Sequence, residues 1–290
     1  MRHLLTGHEL DRDSLLALLD RAAQLKREPL ASRALDRRTV ALVFQKPSTR
    51  TRVSFESGVV ELGGHPMVLR PDDLQISRGE SLRDTARVLG RHVAAVGVRG
   101  HDDGELEALA AEDQLPVFNM LTAGHHPCQA LADLLTLQEA FGRVEGLRVA
   151  YVGDGNNVLR SLHDVGALAG VEVVAASPLA YTLDGVPAET DPREAVRDAH
   201  AVYTDVWISM GDEDSGSKRM ALEPYRLDEA LLDEAAPGAI ALHCLPAHPG
   251  EEISEGLLYG HRQRIWDQAE NRRHAQKAML EWLLEVGPFA

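Results

Sequence analysis

Cysteine is nearly absent from this chain: Cys128 and Cys244 are its 2 thiols in 290 residues. That is too few for a disulfide framework, and a reducing compartment is the default expectation. Long hydrophobic runs are missing as well. No window approaches the ~18 consecutive apolar residues of a membrane span, and the opening MRHLLTGHELDRDS lacks the unbroken apolar core of a secretory signal. Positive charge is in deficit, with 30 Lys and Arg against 45 Asp and Glu and a formal net charge of −15. Such a surface argues against nucleic acid or an anionic membrane as the main partner. These absences leave a cytoplasmic globular protein as the expectation. The 44% apolar and 26% charged residues agree with it, and the length suggests about two domains, each able to bury a core.

Short apolar runs alternate with amphipathic stretches. Strands are expected at 40–44, 67–69, 93–98 and 116–118, then at 148–152, 171–176, 201–206 and 239–242. Helical patterns fall at 52–62, 81–91, 129–141, 157–169 and 193–199, with a last one at 269–286. Alternation of this kind, with near-continuous apolar strands, predicts an α/β protein with parallel sheets. Eight strands can form one sheet. The helical pattern 126–141 followed by Gly142 and Gly146 reads instead as a hinge between two units.

What stands out against the acidic background is Ser48-Thr49-Arg50-Thr51-Arg52, where an apolar strand gives way to a helix. A helix N-terminus offers unpaired backbone N–H groups and the positive end of the peptide dipole. Ser48 and Thr49 are candidate caps, and Arg50 and Arg52 can add charge-assisted hydrogen bonds to a phosphate. Unexpected polar residues also gather at the carboxyl ends of other predicted strands: Arg99, His125-His126-Pro127-Cys128-Gln129, Gly153-Asp154-Gly155-Asn156-Asn157 and His243-Cys244-Leu245-Pro246. In open α/β sheets that edge is where ligands bind.

Two rival chemistries deserve weighing. The strand–Gly-Asp-Gly turn at 149–157 resembles the start of a dinucleotide fingerprint, but its third glycine is missing, and no acidic residue ends the next strand at Ala175-Ala176-Ser177-Pro178. His125, His126, Cys128, His243, Cys244 and His248 are zinc-capable, yet neither group has a CxxC or HExxH spacing. Pro127 fits the first turn of a helix, which would place His126 beside a helix N-terminus and keep its ring neutral.

Taken in order, STRTR, DTARVLGR (84–91), HPCQ (126–129), GDGNN, DVWISMG (205–211), HCLP (243–246) and AENRR (269–273) resemble the aspartate/ornithine carbamoyltransferase family over about residues 3–285. The Asp205…Ser209-Met210-Gly211 and HCLP pair is similar to its ornithine branch. The resemblance implies two doubly wound domains, each around a central parallel sheet and joined by two long helices. The first domain would span 1–133 and be completed by 269–290, and the second would span 134–268. It further implies transfer of the carbamoyl group of carbamoyl phosphate to the δ-amine of L-ornithine, giving L-citrulline and phosphate. No metal or organic cofactor is expected, and the assembly would be a homotrimer.

Residue by residue, the resemblance assigns the phosphate to Ser48, Thr49, Arg50 and Thr51 with Arg99. The carbamoyl group falls to Arg99, His126 and Gln129, with Pro127 and Cys128 beside them and the backbone carbonyls of Cys244 and Leu245 on its amide. Arg272 would complete this pocket, and Gln75, in the loop 72–80, would serve a neighbouring subunit. Asn157 would face the α-carboxylate of ornithine, Asp205 and Ser209 the α-ammonium, and Met210 would offer its backbone. Arg50, Arg99, His126, Gln129 and Cys244 form the expected catalytic set. Two departures from the family pattern stand out: Gln45 where Glu is common, and the segment Leu121-Thr-Ala-Gly-His125, which lacks its usual Asp. Relatives acting on N-acetylornithine, N-succinylornithine, putrescine or aspartate are the close alternatives, and an idle binding protein is the distant one.

Overall fold

The computed structural model describes residues 1–209 and 216–290, with the backbone alone at 76 and 77. The chain divides into two compact units, Met1–Leu135 with Glu270–Ala290, and Thr136–Ala269.

The first unit opens with helix α1 (Arg12–Arg27). Its N-cap Asp11 accepts the Ser14 N–H at 2.7 Å, and Leu15, Leu18, Leu19, Ala22 and Leu25 form its buried stripe. The sequence reading names no element this early, although that i, i+3, i+4 spacing is visible in the chain. Strand β1 (Thr39–Phe44), helix α2 (Thr49–Glu61), strand β2 (His65–Leu69), helix α3 (Leu82–Leu89), strand β3 (Ala95–Arg99), helix α4 (Asp103–Ala111) and strand β4 (Val117–Leu121) follow. The four strands form one parallel sheet in the order β2-β1-β3-β4. Because β1 and β3 lie inside the sheet and are covered on both faces, they read as unbroken apolar runs. β2, at the edge, is half exposed. Gly97 in β3 has a packing reason. A Cβ there would meet Phe118 Cε2 at 2.2 Å, and that ring lies 5.1 Å from the ring of Phe55.

Helix α5 (Pro127–Phe141) begins in the first unit, and the division between units falls within it. The second unit contains strand β5 (Arg148–Val152), helix α6 (Asn157–Leu168), strand β6 (Glu172–Ala176), strand β7 (Ala188–Glu189), helix α7 (Pro192–Val196), strand β8 (Ala201–Thr204), helices α8 (Gly216–Leu222) and α9 (Glu229–Asp233), strand β9 (Ile240–His243) and helix α10 (Glu255–Leu258). Its sheet is also wholly parallel, in the order β7-β6-β5-β8-β9. Val152, Val174, Val202, Ala241, Leu232 and Leu257 belong to its core. β7 lies outside the sequence reading; its two exposed residues carry no hydrophobic signal.

Helix α11 (Ile265–Leu283) contains the second division between units. Its later turns belong to the first unit and pack close to α2 at Gly58, where a Cβ would lie 3.3 Å from Lys277 Cγ. The two sheets exclude the one-sheet alternative. No helix among the described residues is long and apolar enough to cross a membrane.

Candidate active site

In the first unit the parallel order does the gathering. β1, β3 and β4 are neighbours, so the turns at their carboxyl ends share one edge. Ser48 is the N-cap of α2 and accepts the Thr51 N–H at 3.3 Å; Thr49 is already the first helical residue. Thr51 is fully buried, and two guanidiniums converge on its hydroxyl. Arg272 Nη2 donates to Thr51 Oγ1 at 2.6 Å and Arg99 Nη1 at 3.5 Å. Arg99 is the last residue of β3, where the register against β4 shifts between Val98 and Arg99. Such an irregularity re-aims a side chain at a strand end. Arg50 is half buried. Arg52, by contrast, is exposed and pairs with Glu56 at 2.7 Å on the outer face of α2, so it is removed from the anion site expected of it.

His126 stands immediately before α5 and is 3% exposed. Burial first, then the charges of Arg272 and Arg99, hold its pKa well below 6.5, so the ring is neutral at pH 7. Pro127 opens α5, and Gln129 lies fully buried in its first turn, with Nε2 donating to Asp133 Oδ1 at 2.8 Å. The Gln129 carbonyl oxygen has no hydrogen-bond partner among the described residues, leaving it an acceptor for an amide ligand. The Cys128 thiol donates to Asn119 O at 3.2 Å, and burial pushes its pKa up to about 12. Cys128 therefore has its backbone, and not its thiol, to offer a ligand. Gln75 is exposed on a short turn, where Arg78 donates to it at 3.4 Å. No described contact joins it to the Thr51 cluster.

Both departures from the family pattern have a visible counterpart. Gln45 Nε2 donates to Glu105 Oε2 at 3.3 Å, which brings a carboxylate to that strand end from α4. Asp103, also on α4, accepts from Thr122 Oγ1 at 2.6 Å, from Gly124 N–H at 2.9 Å and from the His125 ring at 3.0 Å. It pins the loop that delivers His126. Burial raises its pKa, but these hydrogen bonds outweigh burial and leave it below the usual value. Sequence reasoning missed Asp103 because its partners lie about twenty residues away.

In the second unit β5, β8 and β9 are neighbours, and their carboxyl ends again share one edge. Asn156 caps α6: its Oδ1 accepts Val158 N–H at 3.0 Å, Leu159 N–H at 3.2 Å and the Tyr151 hydroxyl at 3.0 Å. Its Nδ2 donates to Asp205 Oδ2 at 2.9 Å, while Cys244 Sγ donates to Asp205 Oδ1 at 3.0 Å. Asp205 is thus a buried carboxylate held at both oxygens, each with a lone pair left for an ammonium group. Asn157 begins α6 and is half buried, as are Ser209 and Leu245. Met210 lies outside the described residues. Asn156 is the residue that sequence reasoning passed over in favour of its neighbour. Its signal was its place before an apolar helix, the position of an N-cap.

Donor atoms of Asp205, His243 and Cys244 lie within 4.8 Å of one another. Both ring nitrogens of His243 are already engaged, one by the Leu245 N–H and one by Glu252. Ligation of a metal there would have to break one of these bonds.

Two parallel α/β sheets, one with two guanidiniums gathered at its carboxyl edge and the other with a buried carboxylate–thiol pair, define a two-domain α/β protein. Residues 2–139 match the model of the aspartate/ornithine carbamoyltransferase carbamoyl-P binding domain, and residues 145–283 that of the Asp/Orn binding domain. The chain belongs to the aspartate/ornithine carbamoyltransferase family. It is 48% identical over 306 aligned residues to the ornithine carbamoyltransferase of Acidothermus cellulolyticus, covering 99% of this chain and 97% of the relative. Among solved structures it is similar to the ornithine carbamoyltransferase of Pyrococcus furiosus, at 42% identity and a TM-score of 0.91, covering 97% of this chain and 96% of that one. The Thermus thermophilus enzyme of the same name matches at 43% identity and a TM-score of 0.91, covering 97% and 98%.

Proposed function

We propose that this chain transfers the carbamoyl group of carbamoyl phosphate to the δ-amine of L-ornithine, releasing L-citrulline and phosphate. The observation that carries the donor half is the convergence of Arg99 and Arg272 on Thr51 beside neutral His126. With Arg50 and the α2 N-terminus, they balance the phosphate dianion and the charge that grows on it as the C–O bond breaks. His126, Arg99 and Gln129 bind the carbamoyl group: the cation and the imidazole N–H polarise its carbonyl, and the Gln129 oxygen accepts from its amide. Ser48, Thr49, Pro127 and Cys128 complete this pocket, and the backbone carbonyls of Cys244 and Leu245 are assigned to the same amide.

The acceptor half rests on Asp205, together with the names of the relatives. A buried carboxylate favours a free α-ammonium, so it favours ornithine over its N-acylated forms. Asn157 is assigned to the α-carboxylate, Ser209 to the α-ammonium and Met210 to backbone contact. The δ-amine attacks only when neutral; with a pKa near ~10.4, about one molecule in a few thousand is ready at pH 7. Its nitrogen forms the new bond to carbon while the carbon–oxygen bond to phosphate breaks, and the amine gives up a proton. Positioning and electrostatics supply the acceleration.

We assign the reaction to arginine metabolism in the cytoplasm, in keeping with two free cysteines. A homotrimer is part of this reading: the first unit exposes Val53 and Val60 on α2, Val88 on α3 and Met67 on the edge strand β2, apolar surface that a subunit contact would cover, and exposed Gln75 is offered to a neighbouring subunit. The test is a citrulline-forming assay with ornithine, run beside N-acetylornithine, putrescine and aspartate. Turnover with ornithine alone is expected. Turnover with another acceptor would keep the donor half and overturn the Asp205 argument, and no turnover at all would leave a binding protein.

A further inference from the structure

The turn after β9 contains a buried acid–base pair that the transfer chemistry above does not use. His243 Nδ1 accepts the Leu245 N–H at 2.8 Å, and His243 Nε2 lies 3.1 Å from Glu252 Oε1. Both side chains are 0% exposed. Glu252 also accepts the His248 N–H, and the His243 N–H donates to Gln268 Oε1 at 3.0 Å. A ring nitrogen that accepts from an amide carries no proton, so the ring N–H of His243 is the one on Nε2, and it points at Glu252. Burial raises the Glu252 pKa, but the bonds from His243 and His248 outweigh it and hold the carboxyl below its usual value. The pair therefore selects a single tautomer.

Leu245, the residue so held, has φ +61°, a left-handed conformation that a residue with a Cβ adopts at a cost. Such backbone persists only where its surroundings over-determine it. Between His243 and Leu245 lies Cys244, whose thiol donates to Asp205. One turn thus sets the direction of the Cys244 side chain and of the Leu245 backbone.

We propose that His243 is a positioning residue for carbamoyl transfer: its Nδ1 holds the Cys244–Leu245 turn in place, and Glu252 holds His243 in the tautomer that can do so. This rests on the function proposed above. Neither residue touches a reacting atom; both act through Cys244 and Leu245.

The experiment compares wild type with His243→Asn, His243→Gln and Glu252→Gln for kcat, both KM values and melting temperature. An Asn carboxamide oxygen falls near the Nδ1 position and can accept from Leu245. A Gln carboxamide reaches toward Nε2 and serves Glu252 instead. Glu252→Gln keeps an acceptor for the Nε2–H. His243→Gln is expected to lose kcat by about ten- to a hundredfold with both KM values within about threefold, since a misaimed turn acts on the transition state. His243→Asn and Glu252→Gln are expected to stay within about fivefold of wild-type kcat. Iodoacetamide should alkylate Cys244 faster in His243→Gln, with buried Cys128 silent. Equal losses in the Asn and Gln variants, tracking melting temperature, would overturn the proposal, as would wild-type kcat in His243→Gln. If His243→Gln does not fold, a loss above about fivefold in either other folded variant overturns it. A wild-type protein that makes no citrulline would mean that the proposed function has failed; active wild type with three indistinguishable variants would sink this inference alone.

Discussion

Arg272 Nη2 donates to Thr51 Oγ1 across 2.6 Å, although the two residues are 221 positions apart in the chain. That single bond ties the late helix α11 to the first turn of α2, and Arg99 meets the same hydroxyl from β3. Thr51→Val keeps the side-chain shape and removes the acceptor. A lost hydrogen bond to a charged group costs about 1.5–3 kcal/mol, so kcat/KM for carbamoyl phosphate should fall by about ten- to a hundredfold. Steady-state kinetics with each substrate varied in turn check this, and KM for ornithine should barely move.

Asn156 combines a helix cap with an orienting bond to Asp205. Asn156→Asp retains an oxygen that caps α6, so the melting temperature should stay near wild type. It replaces the Nδ2 donor with a second carboxylate beside Asp205. Loss of that donor and the new like-charge repulsion should raise KM for ornithine by about tenfold or more. A variant with unchanged ornithine kinetics would show that Asp205 needs no help from Asn156.

His274 carries a prediction about acid. Burial first, then Lys277 and Arg273, lower its pKa from 6.5 to about 4. Below pH 6.5 the unfolded chain takes up a proton on this ring that the folded protein refuses. Stability contributed at neutral pH is therefore lost as pH falls from about 6.5 to about 4, and levels below that. His274→Gln should flatten this part of the curve of melting temperature against pH. Parallel curves for wild type and variant would remove His274 from the acid response.

Lys277 is 0% exposed and donates to Glu61 at 2.5 Å, to Pro29 O at 2.9 Å and to Leu25 O at 3.3 Å. Lys277→Met leaves Glu61 with Arg273, 3.2 Å away, as its remaining cation and takes the donor from the Pro29 and Leu25 carbonyls, so it should destabilise by about 1–3 kcal/mol. Adding Glu61→Leu to Lys277→Met should recover little of that loss, because it also takes a carboxylate from Arg273, which keeps Glu270 at 3.4 Å. Urea denaturation of the three proteins decides the matter.

The strands show what periodicity can and cannot say. Residues 148–152 read as a strand from their apolar run, and β5 is Arg148–Val152. The turns at the ends of β1, β3, β4, β5 and β9 stood out as candidate sites because Arg, His, Gln and Cys are out of place beside apolar strands. Arg52 misled for the same reason: in sequence it belongs to the STRTR run, but a helix turns successive residues by about 100° and sends it outward to Glu56. Asp103 and Glu252 were illegible because a carboxylate in a chain with 45 of them carries no mark of its partner.

By itself the sequence determined the alternation of strands and helices, the Ser-Thr-Arg run where β1 gives way to α2, and the family, because local propensity, apolar periodicity and motif order are one-dimensional properties. Only the tertiary structure decided which of those residues work together. Strand order brings β1, β3 and β4 to one edge and β5, β8 and β9 to another, and α11 returns Arg272 to Thr51. Burial then set the chemistry: it made His126 neutral, left the Cys128 thiol inert and held Asp205 between Asn156 and Cys244. Desolvation and hydrogen-bond geometry depend on what surrounds a group in space, and the chain brings those surroundings together only when it folds.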